Sequence, residues 1–224
     1  MLTGEQNVNL AIFDLDNTLI AGDSDHAWGE FLTEKGIVDA RLYKEANDRF
    51  YEQYQNGTMD IMEYLNFSLA PLAEHKPEQL HQWHNQFMQE KIEPILLDKA
   101  FAKLDWHREQ GDYILIITAT NRFITEPIAE RLGVHELIAI EPEQINGRYT
   151  GKVAGVPSFK EGKVVRLNSW LKDKDFDLTE TWFYSDSHND LPLLRLVGKP
   201  VAIDPDESLL AEARQNGWPV ESFR

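Results

Sequence analysis

Cysteine is absent from this chain of 224 residues, and basic residues are scarce beside acidic ones. Without cysteine the protein has neither disulfides nor thiolate chemistry, which is compatible with a reducing compartment. Lys and Arg number 22 against 38 Asp and Glu, so the formal net charge is -16. This charge argues against nucleic-acid or anionic-membrane partners, because both need a basic footprint. Plain solubility is the alternative explanation, since much of the charge is scattered over predicted helix faces.

Long apolar runs are missing as well. No stretch is long enough to span a membrane, and residues 1–10 lack a basic segment followed by a long apolar core. We therefore expect a soluble cytoplasmic protein without a targeting segment. The length is near the upper end for one domain, so a core with an insert is reasonable.

The most informative stretch is LAIFDLDNTLI, residues 10–20. Its apolar start, preceded by Val8, predicts a buried parallel strand. Asp14, Asp16 and Thr18 follow at the carboxyl end of that strand, where open α/β sheets bind ligands. Two carboxylates this close repel each other, so a cation is their natural third party. The alternative is a turn with an Asx cap before a helix.

A second apolar run, YILIITAT at residues 113–120, ends in hydroxyls and precedes a helix-like segment. The Thr118 hydroxyl, with free N–H groups entering that helix, can hold a phosphate oxygen. An ordinary helix cap is the alternative at Thr118.

A third run, residues 181–194, leads from a strand into Asp186 and Asp190, with Asn189 beside the latter. Hard oxygen ligands of this type suit Mg²⁺, which takes one or two carboxylates directly and keeps several waters. A site with four acids and a phosphate also needs a fixed positive charge. Lys163, at the start of a helical pattern, is the first candidate, and Lys160 competes with it.

Helical spacing without strand alternation predicts an inserted helical cap over residues 23–110, with helices near 27–35, 41–55, 60–69, 77–91 and 98–109. Residues 1–22 and 111–224 then form a doubly wound parallel α/β core. Its later strands are predicted near residues 113–118, 137–140, 181–184 and 200–203, and its helices near 123–132, 162–171 and 191–196. Asn146-Gly147 predicts a hairpin turn inside residues 143–153.

The pieces DLDNT, Thr118, Lys163 and SDSHND resemble, in order and strand context, the haloacid dehalogenase superfamily of phosphohydrolases. The resemblance spans almost the whole chain and is closest to the branch that includes phosphoserine phosphatase, with a helical cap between the first two motifs. WxxF from Trp28, the ITATN run and YSDSHNDLPLL also resemble a bacterial subgroup of that branch. Its members are described as phosphoserine phosphatase-like or as histidinol-phosphate phosphatases.

The resemblance implies a role for each motif residue. Asp14 is then the nucleophile and Asp16 the general acid and base, while Thr118 and Lys163 hold the phosphoryl group. The implied Mg²⁺ ligands are Asp14, the Asp16 backbone carbonyl and Asp186, with Asp190 in direct or water-mediated support. Asn189 would lie near the phosphate.

Two positions depart from the family pattern. Ser185 stands where a glycine is usual, which bears on how closely the backbone approaches the metal. Asp23 stands where phosphoserine phosphatases carry a substrate-contacting Glu, so the amino-acid substrate is open. Asp23 is nevertheless a candidate for recognising a substrate amine.

The sequence thus predicts Mg²⁺-dependent hydrolysis of a small phosphorylated metabolite through an aspartyl-phosphate. A phosphotransferase using the same intermediate is one alternative. A phospho-accepting receiver module is another, although receivers carry the acceptor Asp on a middle strand and have no cap. For the leaving group, Asp23 and Asp25 are candidates to meet an ammonium, and Arg41 or Arg49 a carboxylate. Solvated caps are the simpler explanation for these four residues.

Overall fold

The fold is given by a computed structural model, which describes residues 8–224. Residues 1–7, which the sequence analysis assigned to the core and judged to lack a targeting segment, lie outside the described residues. None of the helices in the described part combines the length and apolar character that crossing a bilayer requires.

A seven-stranded sheet forms the centre, in the order β4-β3-β2-β1-β5-β6-β7. The strands are β1 (Leu10–Phe13), β2 (Tyr113–Asn121), β3 (Glu136–Ile145), β4 (Arg148–Ala154), β5 (Trp182–Ser185), β6 (Lys199–Ile203) and β7 (Val220–Glu221). All neighbours pair in parallel except β3 and β4, which form the hairpin predicted at Asn146-Gly147. The predicted doubly wound α/β sheet is confirmed.

Strand β1 explains why its apolar run is uninterrupted. Its successive side chains point to opposite faces of the sheet. Leu10 and Ile12 pack in the apolar cluster on one face, and Ala11 and Phe13 in the cluster on the other. Both faces of the strand are buried, so its sequence does not alternate between apolar and polar residues. The strand begins after Val8, which is half exposed.

Helices cover the sheet and build the insert. They are α1 (Ser24–Glu34), α2 (Ala40–Gln55), α3 (Ile61–Ser68), α4 (Ala70–Glu74), α5 (Pro77–Phe87), α6 (Asp98–Gln110), α7 (Arg122–Leu132), α8 (Glu161–Leu171), α9 (Leu191–Leu194) and α10 (Glu207–Asn216). A π-helical turn, Met88–Ile92, and a 3₁₀ turn, Glu93–Ile95, lead out of α5. The five helical segments predicted between β1 and β2 correspond to α1, α2, α3, α5 and α6, whereas the short helix α4 was not predicted.

The chain leaves and re-enters the core side by side, because Ile20 and Leu96 form an isolated antiparallel bridge. The helix after this bridge, α6, packs on the sheet: the His107 ring lies edge-on to Phe13 and to Tyr184. We therefore propose that the cap ends near Leu96 and that α6 belongs to the core. Periodicity alone assigned α6 to the cap, since helical spacing does not reveal what a helix packs against.

Candidate active site

The three polar loops of the sequence meet at one edge of the sheet. Strands β2, β1 and β5 are neighbours, and their carboxyl ends carry Thr118, Asp14 and Asp186. The Asp14 backbone N–H donates to the Tyr184 carbonyl at 2.9 Å, which ties the first loop to the third. The Thr18 hydroxyl ties them again, because it accepts from the Asp186 backbone N–H at 3.1 Å. The parallel pairing of these strands thus brings together, at one edge of the sheet, residues that are far apart in the sequence.

Lys163 is the buried cation of the site. Its Nζ donates to Asp14 Oδ1 at 2.7 Å and to Asp190 Oδ2 at 2.8 Å, and its side chain is 2% exposed. Burial alone would lower the pKa of Lys163, but the two carboxylates outweigh it and raise that pKa. The competitor Lys160 does not enter the site, since its Nζ donates to the Gly57 carbonyl.

Asp190 accepts hydrogen bonds from two protein side chains. Besides Lys163, the Ser185 hydroxyl donates to its Oδ2 at 2.7 Å. Ser185, the departure from the family's glycine, therefore supplies a hydrogen bond that orients this acid. This arrangement favours water-mediated over direct support of a metal by Asp190.

Asp16 has different partners. Its Oδ1 accepts from the Ser24 backbone N–H at 2.7 Å, and its Oδ2 accepts from the Thr120 hydroxyl at 2.8 Å. The Thr118 hydroxyl lies farther from the same oxygen, at 3.4 Å. Thr120 was missed by the sequence analysis, although two residues apart on a strand share a face and the spacing from Thr118 signals it.

Thr118 is not at a helix terminus. Strand β2 continues to Asn121, whose side chain caps α7 by accepting from the Ile124 backbone N–H. The expected free N–H groups of a following helix therefore lie beyond Thr118, and its hydroxyl instead accepts from the Thr120 N–H at 3.1 Å. The ordinary helix cap is likewise excluded for Thr118. Its side chain remains beside Asp16, buried at the edge of the sheet.

The carboxylates repel each other where the loops converge. Burial raises the pKa of Asp14 to about 7, with Asp190 and Asp16 adding to the rise and Lys163 opposing it. Burial, followed by Asp14 and Asp190, raises the pKa of Asp186 well above its usual range. One lysine does not compensate this set, so the donors fit a divalent cation.

The number of donors restricts which cation fits. Within residues 8–224 no group of three or more His, Cys, Asp or Glu side chains is arranged as a metal cage. Asp14 and Asp186 with a backbone carbonyl and waters form the kind of sparse oxygen set that Mg²⁺ accepts.

Asn189 faces the insert. Its Nδ2 donates to the Tyr54 carbonyl in α2 and to the Ser187 hydroxyl, both at 3.2 Å. Its Oδ1 is buried and has no hydrogen-bond partner among the described residues. The residue predicted to lie near the phosphate thus also connects the core to the insert.

A cavity opens from Asp14, Asp16 and Thr118 into the insert. Its other lining residues are Asp23, Asp25, His26, Asn47, Phe50, Tyr51, Tyr54, Met59, Tyr64, Ala119 and Thr120. Asp23 caps α1, because its Oδ1 accepts from two backbone N–H groups, and it also lines the cavity. Arg41 and Arg49 are exposed and absent from this lining, so the structure does not bring them to the site.

Comparison with known proteins gives the family. A family model described as haloacid dehalogenase-like hydrolase matches residues 11–195. A histidinol-phosphatase of Neisseria meningitidis serogroup C (strain 8013) is 49% identical, over 96% of this chain and 99% of that protein. A phosphoserine phosphatase of Mycobacterium tuberculosis (strain ATCC 25618 / H37Rv) is 30% identical, over 96% of this chain and 70% of its own length.

Solved structures agree on the fold. A protein of unknown function from Bordetella pertussis Tohama I superposes with a TM-score of 0.91 at 42% identity, over 97% of this chain and 99% of that one. A substrate-bound phosphoserine phosphatase reaches a TM-score of 0.72 at 16% identity, over 98% and 95% of the two chains, which shows a shared fold alone. The chain therefore belongs to the haloacid dehalogenase-like hydrolases and, as its sequence predicts, is a phosphatase.

Proposed function

We propose that the protein hydrolyses a small phosphate monoester through an aspartyl-phosphate formed on Asp14, with Mg²⁺ as cofactor. One observation carries this proposal. Two aspartates that are two residues apart in the sequence have different kinds of hydrogen-bond partner. Asp14 is held by the Lys163 cation, whereas Asp16 is held by the neutral donors Ser24 and Thr120. A nucleophile must be a carboxylate, and a general acid must be able to hold a proton.

Asp14 and Asp186 with the Asp16 backbone carbonyl would hold Mg²⁺, and Asp190 would support it through water. When bound, Mg²⁺ supplies positive charge to the buried carboxylates and to the phosphoryl oxygens. Lys163 and the Thr118 hydroxyl would bind the phosphoryl group from the protein side. Asn189 is proposed to stand near the same group, because its buried Oδ1 has no hydrogen-bond partner within residues 8–224.

The reaction then divides into two displacements. An oxygen of Asp14 attacks phosphorus as the bond to the leaving oxygen breaks, and protonated Asp16 donates its proton to that oxygen. Water next attacks phosphorus and the Asp14–phosphorus bond breaks. Asp16, now a carboxylate, takes the proton of that water, which returns both acids to their starting states and releases phosphate.

The substrate is proposed to be a phosphorylated metabolite of the histidinol phosphate or phosphoserine kind. The 49% identity to a histidinol-phosphatase favours the first. The cavity beside Asp14 opens into the insert, so a leaving group bound there would meet side chains of the insert. The cytoplasmic setting predicted from the sequence stays a prediction.

Phosphate release from histidinol phosphate, phosphoserine and p-nitrophenyl phosphate tests this function. We expect turnover that EDTA abolishes and Mg²⁺ restores, and none for Asp14→Asn, whose amide is nearly isosteric but a poor nucleophile. Asp186→Ala should weaken activation by Mg²⁺ more than Asp190→Ala does. Metal-independent turnover, or turnover retained in Asp14→Asn, would overturn the proposal.

A further inference from the structure

Asp25 is a buried acid that the proposed chemistry does not use. It lies in the first turn of α1 and is 7% exposed, yet its side chain lines the cavity. It forms no ion pair with any residue in the described part of the chain. The Tyr64 side chain, on α3, lines the same cavity. A buried carboxylate without an ion-pair partner is costly unless a cation arrives to pair with it.

We propose that Asp25, with the Tyr64 hydroxyl, determines specificity by binding a protonated nitrogen of the leaving group, in a phosphorylated amino alcohol that carries no carboxylate. The inference rests on the proposed function, because it takes the cavity beside Asp14 as the leaving-group site. It differs from the role predicted for Asp23, whose Oδ1 is already occupied by the backbone N–H groups of Asp25 and His26.

The cavity selects for positive charge. Four aspartates line it, and none of its lining residues is Lys or Arg. Lys163 pairs with Asp14, and the ring nitrogens of His26, the one basic side chain in the lining, lie near Asn47, Glu30 and Asp48. Burial raises the pKa of Asp25 to about 7, with Tyr64 opposing the rise and Asp16 adding to it. A substrate cation would remove this penalty.

The same lining selects against a substrate carboxylate. An added anion would meet Asp23 and Asp25 in a pocket without a cationic partner, and like charges at close range destabilise each other. The two arginines considered as partners for a substrate carboxylate do not line the cavity. Arg49 is exposed and pairs with Glu63 outside the cavity, and Arg41 is exposed on α2. Phosphoserine therefore suits this cavity less well than its counterpart without the carboxylate, phosphoethanolamine.

Aromatic side chains complete the subsite. Phe50, Tyr51 and Tyr54 on α2 line the same cavity as Asp25 and the reacting acids. Aromatic faces attract cations and stack on planar rings. An amino alcohol that also carries a ring thus fits better than a bare chain. We expect kcat/KM to fall in the order histidinol phosphate, phosphoethanolamine, phosphoserine.

Asp25→Asn tests the assignment, because it removes the charge while keeping the shape. We expect kcat/KM to fall about 10- to 100-fold on histidinol phosphate and phosphoethanolamine, the loss that a shielded charged contact gives. The loss should be mainly in KM, and p-nitrophenyl phosphate, which has no cation, should change less than about threefold. Glu52→Gln is the matched control, an exposed acid-to-amide change on α2. This control should leave kcat/KM unchanged on both the cationic and the neutral esters.

Tyr64→Phe gives a second test that keeps Asp25 and removes one hydroxyl. It should shift the same substrates in the same direction by a smaller factor, and circular dichroism should show both variants folded. Equal losses on cationic and neutral esters, or no loss in either variant, would overturn the inference. In that event, Mg²⁺-dependent turnover of p-nitrophenyl phosphate that Asp14→Asn abolishes would leave the proposed function standing. Absence of that turnover in the unmodified protein would instead overturn the proposed function itself.

Discussion

Asp14 and Asp16 are two residues apart, and their surroundings differ more than their spacing suggests. Asp14 is within 2.7 Å of the Lys163 ammonium, whereas Asp16 accepts from a backbone N–H and a hydroxyl. The Lys163 cation lowers the pKa of Asp14, against the burial that raises it, and so favours the carboxylate that a nucleophile needs. Among the described residues no cation pairs with Asp16, so their partners already distinguish the two acids.

Asp16→Asn tests this division of roles. The amide keeps a carbonyl acceptor for Ser24 or Thr120 but can carry no proton to the leaving oxygen. Alkyl phosphates should lose about 100-fold or more in the phosphorylation step, within the range typical of general acid–base catalysis. Aryl phosphates should lose much less there, because their leaving groups need little protonation. Pre-steady-state kinetics on matched alkyl and aryl esters measures the difference, and equal losses would contradict the role.

The sequence was most informative where a residue type has few uses. Paired acids after an apolar strand indicated Asp14 and Asp16, and the need for a cation indicated Lys163. Thr120 escaped because hydroxyls at strand ends are common and their partners depend on strand length. The length of β2 was not predictable, since the strand continues past Ile117 through a shift in its pairing with β3.

At the scale of elements, the end of α2 is where the insert meets the core. The Lys160 ammonium donates to the Gly57 carbonyl at 2.8 Å, and Asn189 donates to the Tyr54 carbonyl. The His188 ring, held by Asp206 at 2.8 Å, faces Gly57. These contacts position α2, and with it the aromatic wall of the cavity, over the reacting acids.

Gly57→Ala should disturb this junction in two ways. Gly57 has φ +69°, and a Cβ there would lie 2.7 Å from His188 Nε2. We expect kcat/KM to fall about 10-fold, because the clash with His188 would displace the end of α2 and misplace the cavity wall over the reacting acids. His188→Ala in the same chain should recover part of the loss by removing the clash.

Gly36→Ala is the control for backbone strain at that junction. Gly36 has φ +66° and nothing within 4 Å of the position its Cβ would take. It should lower the melting temperature without changing kcat/KM. If Gly36→Ala and Gly57→Ala had the same effect on turnover, the junction would have no part in positioning the site.

Helices of the insert were predictable because their apolar spacing is local, and the hairpin because Asn-Gly tolerates positive φ, observed as +52° and +75°. The packing of α6 on the sheet was not predictable, because it depends on a buried polar network. His107 joins Asp112 at 2.7 Å and the Tyr184 hydroxyl at 3.0 Å. Asp112 follows α6 closely, but Tyr184 comes from β5, which is distant in the sequence.

At the scale of the whole molecule, this network makes stability depend on pH. Burial lowers the pKa of His107 despite the opposing pull of Asp112, so the folded state resists protonation. The unfolded chain binds that proton near the ordinary His pKa of about 6.5. The stabilisation is therefore fully present above about 6.5 and is lost as the pH falls toward the lowered folded pKa.

Urea denaturation of the unmodified protein and of His107→Phe between pH 7.5 and 5.5 isolates this contribution, because the buried acids Asp14 and Asp25, whose raised pKa values act in the opposite direction, are present in both. The difference in the free energy of unfolding between the two proteins should be larger at pH 7.5 than at pH 5.5, while His84, whose pKa burial also lowers, contributes equally to both. The same variant should lower stability at pH 7.5 by about 2–4 kcal/mol, because Asp112 keeps its burial and loses its partner. An unchanged pH slope in His107→Phe would exclude His107 as its source.

The central claim is that Asp14 becomes phosphorylated during turnover. Asp16→Asn offers the way to see it, because without the general base the intermediate should accumulate. The variant is mixed with Mg²⁺ and p-nitrophenyl phosphate, quenched in acid and digested. The masses of the peptides are then measured by mass spectrometry. We predict one added phosphoryl group on the peptide that contains Asp14, and none when Asp14→Asn is introduced as well. A phosphoryl group on any other residue, or turnover of the ester with no phosphorylated peptide at any time, would contradict the account.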